Sequence, residues 1–241
     1  MWPFKSIEKL GKSGFLDGFT DWHSHILPGV DDGVKTLDES LDILADFEEN
    51  GVRKVWLTPH VMEDCPNTTQ RLRSRFEDLK KAYKGNLQIA LASENMIDSL
   101  FEERLAANDF LPIGEEGKHL LVETSYVSQP FGMEDMIDGV FDLGYTPILA
   151  HPERYRYMSE ADYTRWKKKG VLFQCNYGSL IGGYGESARA KMEWLLKQGF
   201  VNLLGSDIHR RFVFGHVMGK SPKHAEALRN LKLVAQNPAI K

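Results

Sequence analysis

Cysteine is scarce in this chain: Cys65 and Cys175 are its only two. Two thiols make no disulfide framework, which excludes the small stapled secreted domains and fits a reducing compartment. Long apolar runs are missing as well. The opening residues, MWPFKSIEKLGKSGFLDGF, hold no apolar signal-peptide core, and no stretch reaches the roughly 18 apolar residues that span a bilayer. The expectation is a cytoplasmic protein with no direct membrane insertion. Positive charge is not in excess: 30 Lys+Arg stand against 34 Asp+Glu, a formal net charge of −4. No basic field of the kind that holds nucleic acid is therefore present. No fixed-period repeat and no low-complexity linker divides the chain. What is there is 241 residues, 42% of them hydrophobic, enough for one sizeable core.

Short β-like runs alternate with longer amphipathic ones. GFTDWHS, VRKVWLTPH, LQIALASE, KHLLVETS, YTPILAHP, GVLFQCNY and FVNLLGSDIH read as seven strands, several apolar throughout, as strands buried on both faces are. The helical stretches between them carry end signals. TLDESLDILADFEENG begins with Thr36 and Glu39 in capping-box spacing and stops at Gly51. TTQRLRSRFEDLKKAYKG sets Leu72, Phe76, Leu79 and Tyr83 on one face and stops at Gly85. Further helices are predicted over 97–108, 133–143, 159–169, 186–198 and 222–235. This order predicts a parallel sheet, with residues 1–18 as an N-terminal extension and 19–241 as a single domain.

The polar residues choose between an open sheet and a barrel. His23 and His25 end the first strand, His60 the second, Glu94 the third, Glu123 the fourth, His151 the fifth, Asn176 the sixth, and Asp207 with His209 the seventh. In a barrel those ends meet on one rim, where active sites of such barrels lie. An open sheet would hold the outer ones too far apart to share a site. The fold expected is α/β, a distorted (β/α)7 TIM-like barrel.

Five histidines on that rim meet at least four carboxylates, Asp32, Glu94, Glu123 and Asp207. Crowded carboxylates repel or take up protons unless cations balance them. So many ligands exceed what one ion needs, which predicts two or three divalent ions. Mixed imidazole and carboxylate donors suit Mn, Fe or Zn. Such clustered ions serve phosphoester cleavage, and Arg154, three residues past His151, can clamp a phosphate oxygen.

HxH after the first strand, a following DG, TPH, a mid-chain Glu, AHPERY and a late SDIH together resemble the polymerase and histidinol phosphatase (PHP) superfamily. DWHSHILPGVDDG with AHPERY and GSDIH is similar, more narrowly, to its bacterial manganese-dependent tyrosine-protein phosphatase branch of capsule and exopolysaccharide systems. The likeness runs from about Phe19 to about His209. It implies a PHP-type barrel with a trinuclear site. One ion would take His23, His25, Glu94 and Asp207, a second Glu94, Glu123 and His151, a third Asp32, His60 and His209. It also implies a metal-bridging hydroxide attacking phosphorus, with Arg154, Asp207 and His209 in catalysis, no covalent enzyme intermediate, and the phosphotyrosine tail of a bacterial tyrosine kinase as substrate. The aspartate of the DG pair maps to Asp32 and makes Asp31 a neighbour. Two departures stand out: Ser93 precedes Glu94 where the branch has Gly or Ala, and RRFVFGHVMGKSP after SDIH is a longer loop than usual. Arg210, beside Arg211 in that loop, offers a second phosphate contact.

Other signals compete. CPNTTQR places Cys65 and Arg71 in the C-x5-R spacing of thiolate phosphatases, though without a glycine in the loop. GHVMGKS falls one residue short of a Walker loop. YGSLIGGYGES reads as a flexible rim loop, with Asn176 and Ser179 as the alternative substrate contacts. Trp166 and Trp194 lie on predicted helices and read as packing. Three functions remain open: a metal-dependent phosphotyrosine phosphatase, a phosphatase of small monoesters such as histidinol phosphate, and a metal-binding anchoring module without catalysis.

Overall fold

The computed structural model describes residues 7–241; residues 1–6 of the expected extension lie outside the described residues. The described part of that extension forms a 3-10 turn, Leu10–Lys12, and buries Leu10, Phe15 and Leu16 in the core.

The strands are β1 (Thr20–Asp21), β2 (Lys54–Leu57), β3 (His60–Val61), β4 (Gln88–Leu91), β5 (Glu94–Met96), β6 (His119–Glu123), β7 (Thr146–Ala150), β8 (Leu172–Asn176) and β9 (Leu203–Gly205). Every pairing between them is parallel. They form one sheet in the order β1-β2-β4 and another in the order β3-β5-β6-β7-β8-β9.

The second and third expected strands are each broken in two. Pro59 has no N–H to give to a ladder, yet its carbonyl still accepts from Glu94 N at 3.1 Å, and Leu57 O accepts from Ala92 N at 2.9 Å. The sheets are therefore consecutive parts of one curled wall. Its first and last strands meet through Trp22 N to Leu204 O (3.1 Å), Asp207 N to His23 O (2.8 Å) and His25 N to Ile208 O (3.0 Å). The architecture is the distorted (β/α)7 barrel expected from the strand ends.

Alternation along the strands separates two cores. Leu120 and Val122 belong to the larger one, against the helices, whereas Leu121 joins Trp22, Trp56, Ile148 and Leu203 in a second cluster inside the barrel. Ile240 belongs to that inner cluster, and Glu115 N donates to Lys241 O at 2.6 Å, so the C-terminus packs on the inner core. Residues two positions along from these inward apolar ones, such as Glu123 after Leu121, reach the opposite rim.

All seven expected helices form: α1 (Leu37–Glu49), α2 (Thr69–Ala82), α3 (Ser99–Ala107), α4 (Met133–Asp142), α5 (Glu160–Lys169), α6 (Glu186–Lys197) and, after one more, α8 (Ala225–Gln236). Thr36 caps α1 through Glu39 N at 3.2 Å, and Ser159 with Asp162 makes a reciprocal capping box on α5. The additional helix is α7 (Arg211–Met218), inside the segment read as a loop. Tertiary contacts form it: Arg211 pairs with Asp42 and Asp46 on α1, and Phe214 packs on Phe47 with ring centroids 5.0 Å apart. The glycine-rich segment after β8 is no flexible loop either. Tyr177–Ile181 is a 3-10 helix in which Tyr177, Gly178, Ser179 and Leu180 are buried. Trp166 is buried and Trp194 packs against the core. Among the described residues no helix is long and apolar enough to cross a membrane.

Candidate metal centre

The barrel brings all nine rim residues together. Their ligating atoms fall into overlapping groups: His23, His25 and Asp207; His23, Glu94 and His151; His60, Glu94 and Glu123; and His25, Asp32, His60 and His209. Glu94 is the hub. Its Oε2 lies 3.2 Å from His23 Nε2, 3.2 Å from His25 Nε2 and 3.1 Å from His60 Nδ1, while its Oε1 lies 2.8 Å from His151 Nε2.

The backbone is built to allow this crowding. A Cβ on Gly205 would stand 2.5 Å from the Cβ of His23, and one on Gly33 2.5 Å from that of His25, so only glycine fits at either place. His151 (φ +31°) and Asp207 (φ +51°) occupy the left-handed region, which side chains other than Gly rarely adopt. Such strain concentrates where a function demands it.

Partners beneath the rim fix which nitrogen each imidazole presents. His23 Nδ1 meets Gln174 Oε1 at 2.7 Å, His25 Nδ1 meets Asp31 Oδ2 at 2.8 Å, and His209 Nδ1 meets the Asp207 carbonyl at 2.9 Å. Each of these oxygens accepts, so each Nδ1 carries the proton and each Nε2 turns a lone pair inward. His23 Nε2 and His25 Nε2 then face each other at 3.0 Å. Two lone pairs at that distance repel unless a proton or a cation lies between them.

The unpaired atoms point the same way. Glu94 Oε2, Glu123 Oε1 and His60 Nδ1 are buried without a hydrogen-bond partner, although His60 Nδ1 is only 2.9 Å from Glu123 Oε1. Close approach without hydrogen-bond direction is the arrangement of donors sharing an ion. Two ligands each about 2.1 Å from one ion lie roughly 3.0–3.4 Å apart at octahedral or tetrahedral angles, and most spacings here match. The residues fit divalent ions.

Without ions, protons do the balancing. Burial opposes charge on His23 and His25, yet Glu94 and Asp207 around the first, and Asp31, Asp207 and Glu94 around the second, hold both imidazoles above the usual range. Burial likewise opposes charge on Glu94 and Asp207, and the imidazoles, His23 foremost, hold both well below the carboxylate range. His60, despite burial, is raised from 6.5 to about 9, chiefly by Glu94. A histidine raised on folding stabilises the fold below its unfolded pKa and stops doing so as pH climbs through the folded one. Metal-free protein is therefore expected to lose thermal stability between pH 6.5 and about 9, a loss that bound divalent ions remove. Melting temperatures across that range, with and without metal, check it.

Asp207 links the cluster to Arg154. Its Oδ2 accepts from Arg154 Nη1 (2.7 Å), Asn176 Nδ2 (2.8 Å) and Tyr184 OH (3.2 Å). Its Oδ1 faces His25 Nε2 (3.4 Å) and His23 Nε2 (3.6 Å). The Arg154 guanidinium sits 4.3 Å from the ring centroids of both Tyr126 and Tyr184, in cation–π contact with each.

The remaining candidates are placed as follows. Asn176 is buried under Asp207 and in turn accepts from Gln174 Nε2 at 2.9 Å. Arg210 Nη1 donates to the carbonyls of Asp32, Gly33 and His209 (2.8, 2.5 and 2.6 Å), tying the Asp32 loop to His209. Ser179 donates to buried Glu153, away from the rim. Cys65 lies beside the cluster, but burial and then Asp31 push its thiol pKa up, and Sγ donates to Val30 O at 3.2 Å. A protonated thiol is a poor nucleophile.

Four contributors carry no sequence signal: Gln174, which sets the His23 tautomer; Tyr126 and Tyr184, which both contact Arg154; and Asp21, whose Oδ1 accepts from Ser206 N at 2.8 Å beneath the site. Asp31, read as the neighbour of Asp32, sets the His25 tautomer.

A parallel barrel whose strand ends gather imidazoles, carboxylates and an arginine is the architecture of a metal-dependent hydrolase. The model of the family described as "Capsular polysaccharide synthesis, CpsB/CapC" matches residues 19–232, and the chain belongs to that family. It is 26% identical over 236 residues to the putative tyrosine-protein phosphatase CapC of Staphylococcus aureus, covering 91% of this chain and 92% of that protein. It is 28% identical over 195 residues to the tyrosine-protein phosphatase YwqE of Bacillus subtilis, covering 78% and 76%. A crystal structure reported for YwqE from Bacillus subtilis and CpsB from Streptococcus pneumoniae, described as unique metal-dependent tyrosine phosphatases, superposes with a TM-score of 0.72 at 24% identity, covering 92% of this chain and 96% of the other.

Proposed function

We propose that this protein is a metal-dependent protein-tyrosine phosphatase that cleaves phosphotyrosine in the tail of a partner tyrosine kinase of capsule or exopolysaccharide synthesis, in the cytoplasm, with Mn²⁺ as the working ion. The observation that carries the reading is the convergence of nine ligating side chains and one guanidinium on a single rim. Family membership and the activity named for the relatives support it.

Divalent ions held by His23, His25, Asp32, His60, Glu94, Glu123, His151, Asp207 and His209 would supply positive charge to phosphoryl oxygens and lower the pKa of coordinated water. The chain's own groups do the rest. Arg154 binds phosphate: Tyr126 and Tyr184 hold its guanidinium in cation–π contact and Asp207 takes one Nη1 donor, which leaves further N–H donors for phosphoryl oxygens. Asp207 couples that arginine to the imidazoles, since one carboxylate touches both. His209, with its Nδ1 proton committed to a carbonyl, keeps Nε2 turned toward Asp32 at 3.3 Å. Arg210 positions this edge by holding the Asp32 and His209 backbones together. Asn176 orients Asp207 from below. Among the described residues no side chain at the rim is an activated nucleophile, so hydrolysis without a covalent enzyme intermediate is the course this site supports.

His151→Ala is expected to cut turnover of a phosphotyrosine peptide about a thousandfold, roughly 4 kcal/mol, with circular dichroism unchanged. Wild-type protein should prefer that peptide to histidinol phosphate. The reverse preference would assign the site to small phosphate esters.

A further inference from the structure

Beside the metal centre the barrel mouth opens into a cleft of about 680 Å³ whose lining mixes charged residues, Lys35 and Asp64 among them, with a group of apolar ones. His60 and Glu123 line its inner end, Asp32 stands exposed at its mouth, and Val30, Met62, Met96 and Tyr126 also line it.

The strand register explains this layering. β3 and β5 pair with His60 opposite Glu94. In a strand, residues i and i+2 share a face, so Met62 and Met96, each two residues past a rim ligand, point the same way one storey further out. A storey is roughly 6–7 Å of strand rise. Met96 also pairs in register with Glu123. Met62, Met96 and Tyr126 are partly exposed, Tyr126 also packing against the core in which Val30 is buried. Tyr126 belongs to two structures at once: it lines the cleft, and its ring carries the Arg154 guanidinium at 4.3 Å.

A ligand whose anionic end reaches Arg154, which lies against Tyr126, places the segment directly behind that end against these apolar side chains. We infer that Val30, Met62, Met96 and Tyr126 form an aryl subsite that grips the phenyl ring of the substrate while its phosphoryl group lies on the rim, and that this wall sets the preference for aryl over alkyl phosphates. Two thioethers suit the task, since methionine is adaptable and makes favourable sulfur contacts with aromatic rings. An alkyl ester such as phosphoserine has one methylene between phosphate oxygen and backbone. It leaves the methionine storey empty and draws its own polar backbone into it. The inference rests on the phosphotyrosine reading above and adds the residues that would enforce it.

The wall touches the ring and not the phosphoryl group. It therefore acts on ground state and transition state alike, and its loss raises KM more than it lowers kcat. The test uses full-length, metal-loaded protein and two substrates, a phosphotyrosine peptide and the matching phosphoserine peptide. Met96→Ala and, separately, Met62→Ala should each lower the ratio of kcat/KM for the aryl over the alkyl ester by about tenfold or more, with the change mainly in the aryl KM. Met96→Leu, which restores apolar bulk, should recover most of the ratio.

A wild-type preference for the aryl ester that survives in both alanine variants would overturn the subsite and leave the phosphotyrosine reading standing. An equal loss on both esters would also overturn it, because the methionines would then be supporting the metal ligands. A wild-type preference for the alkyl ester would sink the reading and the subsite together.

Discussion

Glu94→Gln is expected to lower turnover of a phosphotyrosine peptide by at least about a thousandfold, roughly 4 kcal/mol of barrier, and to deplete bound metal in the same preparation. No other carboxylate on the rim meets four imidazoles. Its two oxygens stand 2.8–3.2 Å from His151, His23, His25 and His60. Glutamine keeps the shape but exchanges an anion for an amide whose NH2 group can neither accept from a protonated imidazole nor coordinate a cation. The imidazoles lose the charge that holds them above their ordinary range, and divalent ions lose a shared anionic ligand. Because Glu94 is fully buried among polar groups at the top of the inner core, folding is checked separately by the melting transition. Metal content by elemental analysis and steady-state kinetics then read the two losses.

The second large effect is Arg154→Lys. Charge is conserved in this change, yet kcat/KM is expected to fall about a hundredfold and inhibition by inorganic phosphate to weaken in step. The guanidinium lies 4.3 Å from both the Tyr126 and the Tyr184 ring centroids while Nη1 donates to Asp207 at 2.7 Å. An ammonium neither stacks on two rings nor offers two parallel donors to a phosphate. Near-wild-type activity in the lysine variant would show that only a positive charge is needed there.

Much of this arrangement is legible in the amino-acid sequence alone. Polar residues at the ends of otherwise apolar strands are conspicuous, because burial is so costly for them that they occur together only for a reason. The parallel order of strands follows from the alternation of elements, and the barrel from the need to bring both outer strand ends to one site. Each element that the sequence conceals depends on contacts distant along the chain. RFVFGHVM looks like a loop until Arg211 finds Asp42 and Asp46 across on α1. YGSLI looks mobile until Ser179 meets the buried Glu153. The breaks within the second and third strands are set by Pro59 and by the curl of the wall, and a run of apolar residues carries no trace of either. Gln174 offers the plainest case at the site. It is 151 residues from His23, and only the closed barrel sets its carbonyl against that imidazole.

Asp31 and Asp32 show how local rules divide neighbouring residues. Adjacent positions in a turn point apart, so Asp31 goes inward to His25 Nδ1 and to His60 N (3.0 Å), while Asp32 stays exposed at the mouth, 3.3 Å from His209 Nε2. A pair of like charges reads as redundant in the sequence. In the fold one carboxylate orients His25 and the other faces His60 and His209.

The most direct test of the account is turnover of a phosphotyrosine peptide by chelator-stripped protein, before and after adding Mn²⁺, with Cys65→Ser measured in parallel. Activity that is absent after stripping, returns with Mn²⁺ and is unchanged in the serine variant is the predicted result. Activity that survives stripping in the wild type and disappears in the serine variant would move the chemistry to the Cys65 and Arg71 loop and contradict the metal centre.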